Sequence, residues 1–165
     1  MLEKGHILVY GASGVCKVED ICVRNYGAGE KEYYILRPVF DLRSSLSVPV
    51  DSKAFETHAR ELLTKKEIDE IIESLPNAEA QWIRDDKERV ETFKNLLDGG
   101  VRRDIAVLIR TLYLHKKELE KKDKKLRSSD ETIMQRAEKL LYGEFAYVLG
   151  IEQNEVVGYI KSRVE

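Results

Sequence analysis

The feature that most constrains this chain is a change of apolar period near residue 51. Before it, apolar residues recur every second position, as on a pleated strand with one buried face. After it they recur at three- and four-residue spacing, as on amphipathic helices. One chain with two successive periods predicts a small β domain followed by a helical one. With 165 residues and 42% apolar content, both halves have the means to bury a core.

In the first half, His6 to Tyr10 is a compact apolar run and Gly11 to Gly14 a turn. Val15 to Arg24 reads as a long strand whose alternation changes phase. Cys16 and Val18 are apolar on even positions, Ile21 and Val23 on odd ones. A bulge near Glu19-Asp20 reconciles the halves and bends the sheet, leaving Arg24 facing outward opposite Val23. After the turn Asn25 to Gly29, Lys31 to Val39 is a third strand. Leu46, Val48 and Val50 mark a fourth, with Pro49 at an edge because proline gives no ladder donor.

In the second half, Asp51 to Leu63 suits either a helix or an added strand. Thr64 with Glu67 forms a capping box before Ile68, Ile71 and Ile72, and Pro76 ends that helix. Ile83, Val90, Phe93 and Leu97 form the next stripe, closed by Gly99-Gly100. A long helix carries Ile105, Leu108, Ile109 and Leu112 and continues through a polar stretch to Arg127. Ser128 and Glu131 offer a second capping box before Met134, Ala137, Leu141 and Phe145. Gly143, within that helix, points to close helix packing. Val156, Val157, Ile160 and Val164 fit a last short helix after Gly150.

The formal charge of −2 hides an uneven distribution. Residues 51–100 hold eight basic and thirteen acidic groups, residues 101–127 ten and four. Lys116, Lys117, Lys121, Lys122, Lys124, Lys125 and Arg127 make the strongest basic feature. Pairing along a helix, Glu118 with Lys122 and Glu120 with Lys124, accounts for them as a solvated face. Phosphate contact through Lys121 and Lys124 is the functional alternative.

No nucleotide-binding glycine motif, nucleophile elbow or metal-ligand spacing occurs, and His6, His58 and His115 are far apart in sequence. No enzyme and no cofactor are expected; an enzyme would need an apolar pocket lined by carboxylates of raised pKa. Cys16 and Cys22 read as small strand hydrophobes in a reducing, cytoplasmic setting. No apolar run approaches the ~20 residues of a membrane span.

Several strings resemble the CarD family (CdnL-type) of bacterial RNA polymerase-binding regulators. They are Gly5-His6-Ile7-Leu8-Val9-Tyr10 with Gly14-Val15, Glu32-Tyr33-Tyr34-Ile35-Leu36, and Leu46-Ser47-Val48-Pro49. Farther on they are Trp82 with Arg84, Ile105 to Leu112, and Leu140 to Ala146. The resemblance covers roughly residues 4–150. It implies an α+β chain: a Tudor-like bent antiparallel β domain over 1–62, then an all-α helical bundle over 63–165. The first would bind the polymerase β subunit, the second promoter DNA at the upstream edge of the transcription bubble, altering open-complex stability. No small-molecule substrate or membrane is implied, and the protein would associate with the nucleoid through polymerase.

Residue by residue, the family's polymerase-contacting arginine falls on Arg24. A second basic position, just before the Val-Pro pair, is Ser47 here, with Pro49 beside it and Arg37 or Arg43 in a compensating role. The family's minor-groove wedge falls on Trp82, with Arg84 and Lys87 as basic neighbours; Asp85 and Glu131 stand where relatives carry basic residues. If Trp82 were already helical, it would lie about 20° from Phe93 on a wheel of ~100° per residue, at the edge of the apolar stripe. A core residue and a wedge are thus the two readings of Trp82. The rival to DNA binding is an adaptor whose helices bind a protein.

Overall fold

The computed structural model describes residues 1–164. By Cα proximity the chain divides into two compact units, one ending at Leu63 and the other starting at Thr64.

The first unit is an antiparallel five-stranded sheet. Its strands are β1 (Ile7–Tyr10), β2 (Val15–Asn25), β3 (Glu30–Pro38), β4 (Leu46–Pro49) and β5 (Ala59–Arg60), with α1 (Lys53–His58) between β4 and β5. The spatial order β4-β3-β2-β1-β5 leaves β4 at an edge, where Pro49 costs no ladder bond. The β2–β3 register slips between Val18 and Asp20, so Glu19 is the extra residue the phase change demanded. That slip keeps Cys16, Val18, Tyr34, Leu36 and Val48 in one core with Leu8. Val23, although in phase with Ile21, is 60% exposed, because the β2–β3 ribbon runs on past the core. The ambiguous stretch after Asp51 is both things in turn: Ser52 caps α1 by accepting from the Phe55 N–H, and β5 then pairs with β1.

The second unit holds α2 (Lys65–Ser74), α3 (Asp86–Gly99), α4 (Arg102–Lys121), α5 (Ser128–Leu149) and α6 (Val156–Val164). Thr64 and Glu67 cap α2 reciprocally, as their spacing predicts. Ile68, Ile72, Phe93, Leu112, Ile133 and Phe145 are among its buried core residues. Gly143 is buried on α5, which packs along α4.

Three sequence expectations fail, the first being Ile83, which lies in the loop before α3 and not on its apolar stripe. Ser128 does not cap α5: the N-cap is Arg127, without a side-chain cap bond, and Glu131 reaches Lys116 instead, at 3.7 Å. Nor does α4 run to Arg127. It stops at Lys121, where Asp123 takes a left-handed φ of 56° and the Lys124 N–H donates back to the Leu119 carbonyl. The pairs along this stretch therefore follow i,i+3 spacing, Lys121 with Glu118 at 3.2 Å and Lys117 with Glu120 at 3.6 Å.

Candidate functional site

On the sheet, register determines which side chains share a face. Cys22 lies opposite Tyr33, and Tyr33 opposite Pro49. Arg24 is two residues beyond Cys22 and Ser47 two before Pro49, so Arg24, Ser47 and Pro49 sit on one face. Their neighbours Tyr34 and Val48 turn to the other face and are buried in the core. Tyr26 folds back over the first face. Its ring stands edge-on to Tyr33 at 5.0 Å, and its hydroxyl lies 3.2 Å from the Ser47 hydroxyl. Arg24 is exposed and donates from Nε to the Cys22 sulfur at 3.2 Å, a contact that raises its already high pKa. The result is a polar face floored by Tyr33, with a permanent cation at its end.

Arg37 and Arg43 are placed differently. The Arg37 Nε donates to Glu19 at 2.6 Å, and one terminal nitrogen donates to the carbonyls of Leu42 and Ser44. It ties the β3–β4 loop to the bulge. Arg43 is 97% exposed, with only a 4.0 Å approach to Asp41.

In the helical unit, Trp82 is not helical. It lies in the loop before α3 and is partly buried, so the helical wheel does not apply. It still reaches Phe93, edge-on at 5.9 Å, and it stacks on His115 of α4 at 3.6 Å with an 8° interplanar angle. The Arg89 guanidinium lies 4.5 Å from the ring centroid. Arg89 is itself 2% exposed and is held from three directions. Its fork donates to both Asp130 oxygens at 3.0 and 2.8 Å, it donates to the Ile83 carbonyl at 3.0 Å, and it pairs with Asp86 at 2.8 Å. Asp86 also pairs with Arg127 at 3.0 Å. Helices α3 and α5 thereby lock the backbone next to Trp82, and α4 supplies the surface on which its ring rests.

Burial, then the nearby Arg89 charge, lowers the His115 pKa below its ordinary value, so the stacked imidazole is neutral near pH 7. Neutral imidazole stacks on indole without desolvating a charge.

Arg84 and Lys87 are exposed and make no ion pair among the described residues. Asp85 caps α3, accepting from the Lys87 N–H at 3.1 Å, which gives the acidic residue a local structural role. Lys121 is paired with Glu118, whereas Lys124 stands in the loop after α4 with no ion pair among the described residues. Lys122, rather than either of these, is close enough to add to the field at His115.

Sequence reasoning missed Arg89, His115 and Asp130. Arg89 stands four residues before Phe93 and eight before Leu97, on the buried stripe itself. That spacing is a readable signal, although an arginine is ordinarily assigned to a solvated face.

Among the described residues no cluster of His, Cys, Asp and Glu suits a metal, and no helix is long and apolar enough to cross a membrane. Cys16 and Cys22 are free thiols, and burial pushes Cys16 up to about 11, which keeps it a protonated core group.

The chain thus joins, in sequence, a bent sheet with one polar face to a helical unit in which a partly buried indole precedes α3. The family model for the CarD-like/TRCF RID domain matches residues 2–54, and that for the CarD C-terminal domain matches residues 67–161. The chain belongs to the CarD family, and it is an RNA polymerase-associated transcription regulator. No curated protein matches it.

Proposed function

We propose that this protein bridges the polymerase β subunit and promoter DNA at the upstream edge of the transcription bubble, and so alters the lifetime of the open complex. The sheet face bearing Arg24, Ser47 and Pro49 is the polymerase end. Tyr26 adds a rigid amphipathic ring there, of the kind that anchors protein interfaces. Arg43 is free to contribute, while Arg37 acts by shaping the β3–β4 loop.

The helical unit is the DNA end. The observation that carries this reading is an indole held outside any helix, with unpaired Arg84 and Lys87 two and five residues on. An apolar ring entering the minor groove unstacks a base step and hinders reclosure, while the cations grip phosphates. Lys124 extends the basic surface; Lys121 contributes less, being committed to Glu118. Tethering through polymerase raises the local concentration of the helical unit, so weak intrinsic DNA affinity suffices.

The adaptor reading draws on a different observation. Asp86 and Asp130 neutralise Arg89, and Glu118, Glu120 and Glu131 each take a lysine of α4, which leaves a modest positive field. Fork-junction DNA at rising salt separates the two. Phosphate contact releases counterions, so affinity must fall with salt, and a wedge must prefer the junction to plain duplex. Flat salt dependence, or equal affinity for both substrates, favours the adaptor.

A further inference from the structure

Helices α4, α5 and α6 enclose an open cavity of about 510 Å³, well within the size of small-molecule sites. Its floor is apolar: Ile109 from α4, Met134, Leu141 and Phe145 from α5, and Ile160 from α6. Its rim is cationic, with Arg110, Lys116, Lys117 and Lys161 against Glu120 and Glu138. None of the proposed DNA-contacting residues Trp82, Arg84, Lys87, Lys121 and Lys124 lines it.

Not all of these charges are spent. Lys117 pairs with Glu120 and Lys116 with Glu131. Arg110, half-buried, and Lys161 make no ion pair among the described residues. An arginine with no ion-pair partner at the edge of an apolar cavity suits an anionic group whose apolar part lies on the floor. Tyr142 adds a second donor: burial, then the neighbouring Glu138, pushes its hydroxyl up to about 12, so it keeps its proton.

We infer that this cavity binds an anionic amphiphile, a small molecule with an apolar chain seated on Ile109, Leu141, Phe145 and Ile160 and a single anionic head taken by Arg110 and Tyr142. A purely apolar ligand would leave the Arg110 charge without a counter-ion, and a cationic one would meet four like charges. A planar guanidinium suits a carboxylate or phosphate head equally, so the head is defined by its charge and acceptors.

The test uses the full chain and monomeric ten-carbon probes. In isothermal titration calorimetry, decanoate or decyl phosphate should bind saturably at one per chain and raise the melting temperature. Decanol and decyltrimethylammonium should bind at least tenfold more weakly. R110M should lose at least tenfold in decanoate affinity. V157W, which fills the cavity from a 44% exposed position on α6, should abolish binding while circular dichroism stays unchanged. If neither anion binds at low millimolar concentration, the inference is overturned. Equal binding of decanol, or an R110M affinity equal to that of the parent, overturns it as well. None of these outcomes bears on the fork-DNA experiment.

Discussion

Replacing Trp82 by alanine removes a ring that makes one parallel stack, one edge contact and one cation contact. An indole sealed in a core costs ~3–5 kcal/mol to truncate, and a freely exposed one within about 0.5 kcal/mol. Trp82 is partly buried, and its environment lies between those limits. The stack on His115 and the edge contact with Phe93 are each worth about 0.5–1.5 kcal/mol. The Arg89 contact adds about 0.5–1 kcal/mol, and Arg89 retains Asp130 when the ring is gone. The expected loss is about 1.5–4 kcal/mol, which lowers the melting temperature of a domain of about 100 residues by roughly 6 °C or more. Scanning calorimetry on W82A, H115A and the double variant reads both the loss and the coupling between the rings. That coupling should be about 0.5–1.5 kcal/mol for side chains in contact. Open-complex lifetime, measured on the same preparations, should shorten for W82A more than for H115A, because the proposed wedge is the indole and not the imidazole. A melting shift below about 2 °C for W82A would refute the reasoning, since the contacts could not then be holding the ring in solution.

Other consequences can be checked independently. R89M leaves Asp130 buried without its partner and should destabilise the helical unit by ~3–5 kcal/mol in urea titration; R89M combined with D130L should recover much of that loss. His115 has a lowered pKa in the folded state, so its contribution to stability is complete above the unfolded value near 6.5. That contribution falls as pH drops below 6.5 and levels off below the folded pKa, and H115Q should flatten this segment of a pH–stability curve. Arg24→Glu reverses the charge at the end of the polar sheet face and should weaken binding to the polymerase β subunit in a pull-down titration without moving the melting temperature. Equal affinity removes Arg24 from the interface.

The sequence by itself determined most of the elements and the order in which they come. The phase change around Glu19, the Thr64–Glu67 box, Pro49 at an edge and the left-handed Gly100 and Gly150 after α3 and α5 are local signals. Each is set by residues a few positions apart, so a linear reading finds them. Local signals also misled where a tertiary partner competed: Glu131 had the spacing of a cap residue but pairs with Lys116. The surroundings of Trp82 were decided only by the tertiary structure. Arg89, His115 and Asp130 come from three helices, and nothing in the period of any one of them announces the others. A buried arginine is stable there because a carboxylate from α5 and a carbonyl from the preceding loop meet its fork together. Charge type alone assigns such a residue to solvent, and that cancellation of its desolvation cost exists only once the helices have packed.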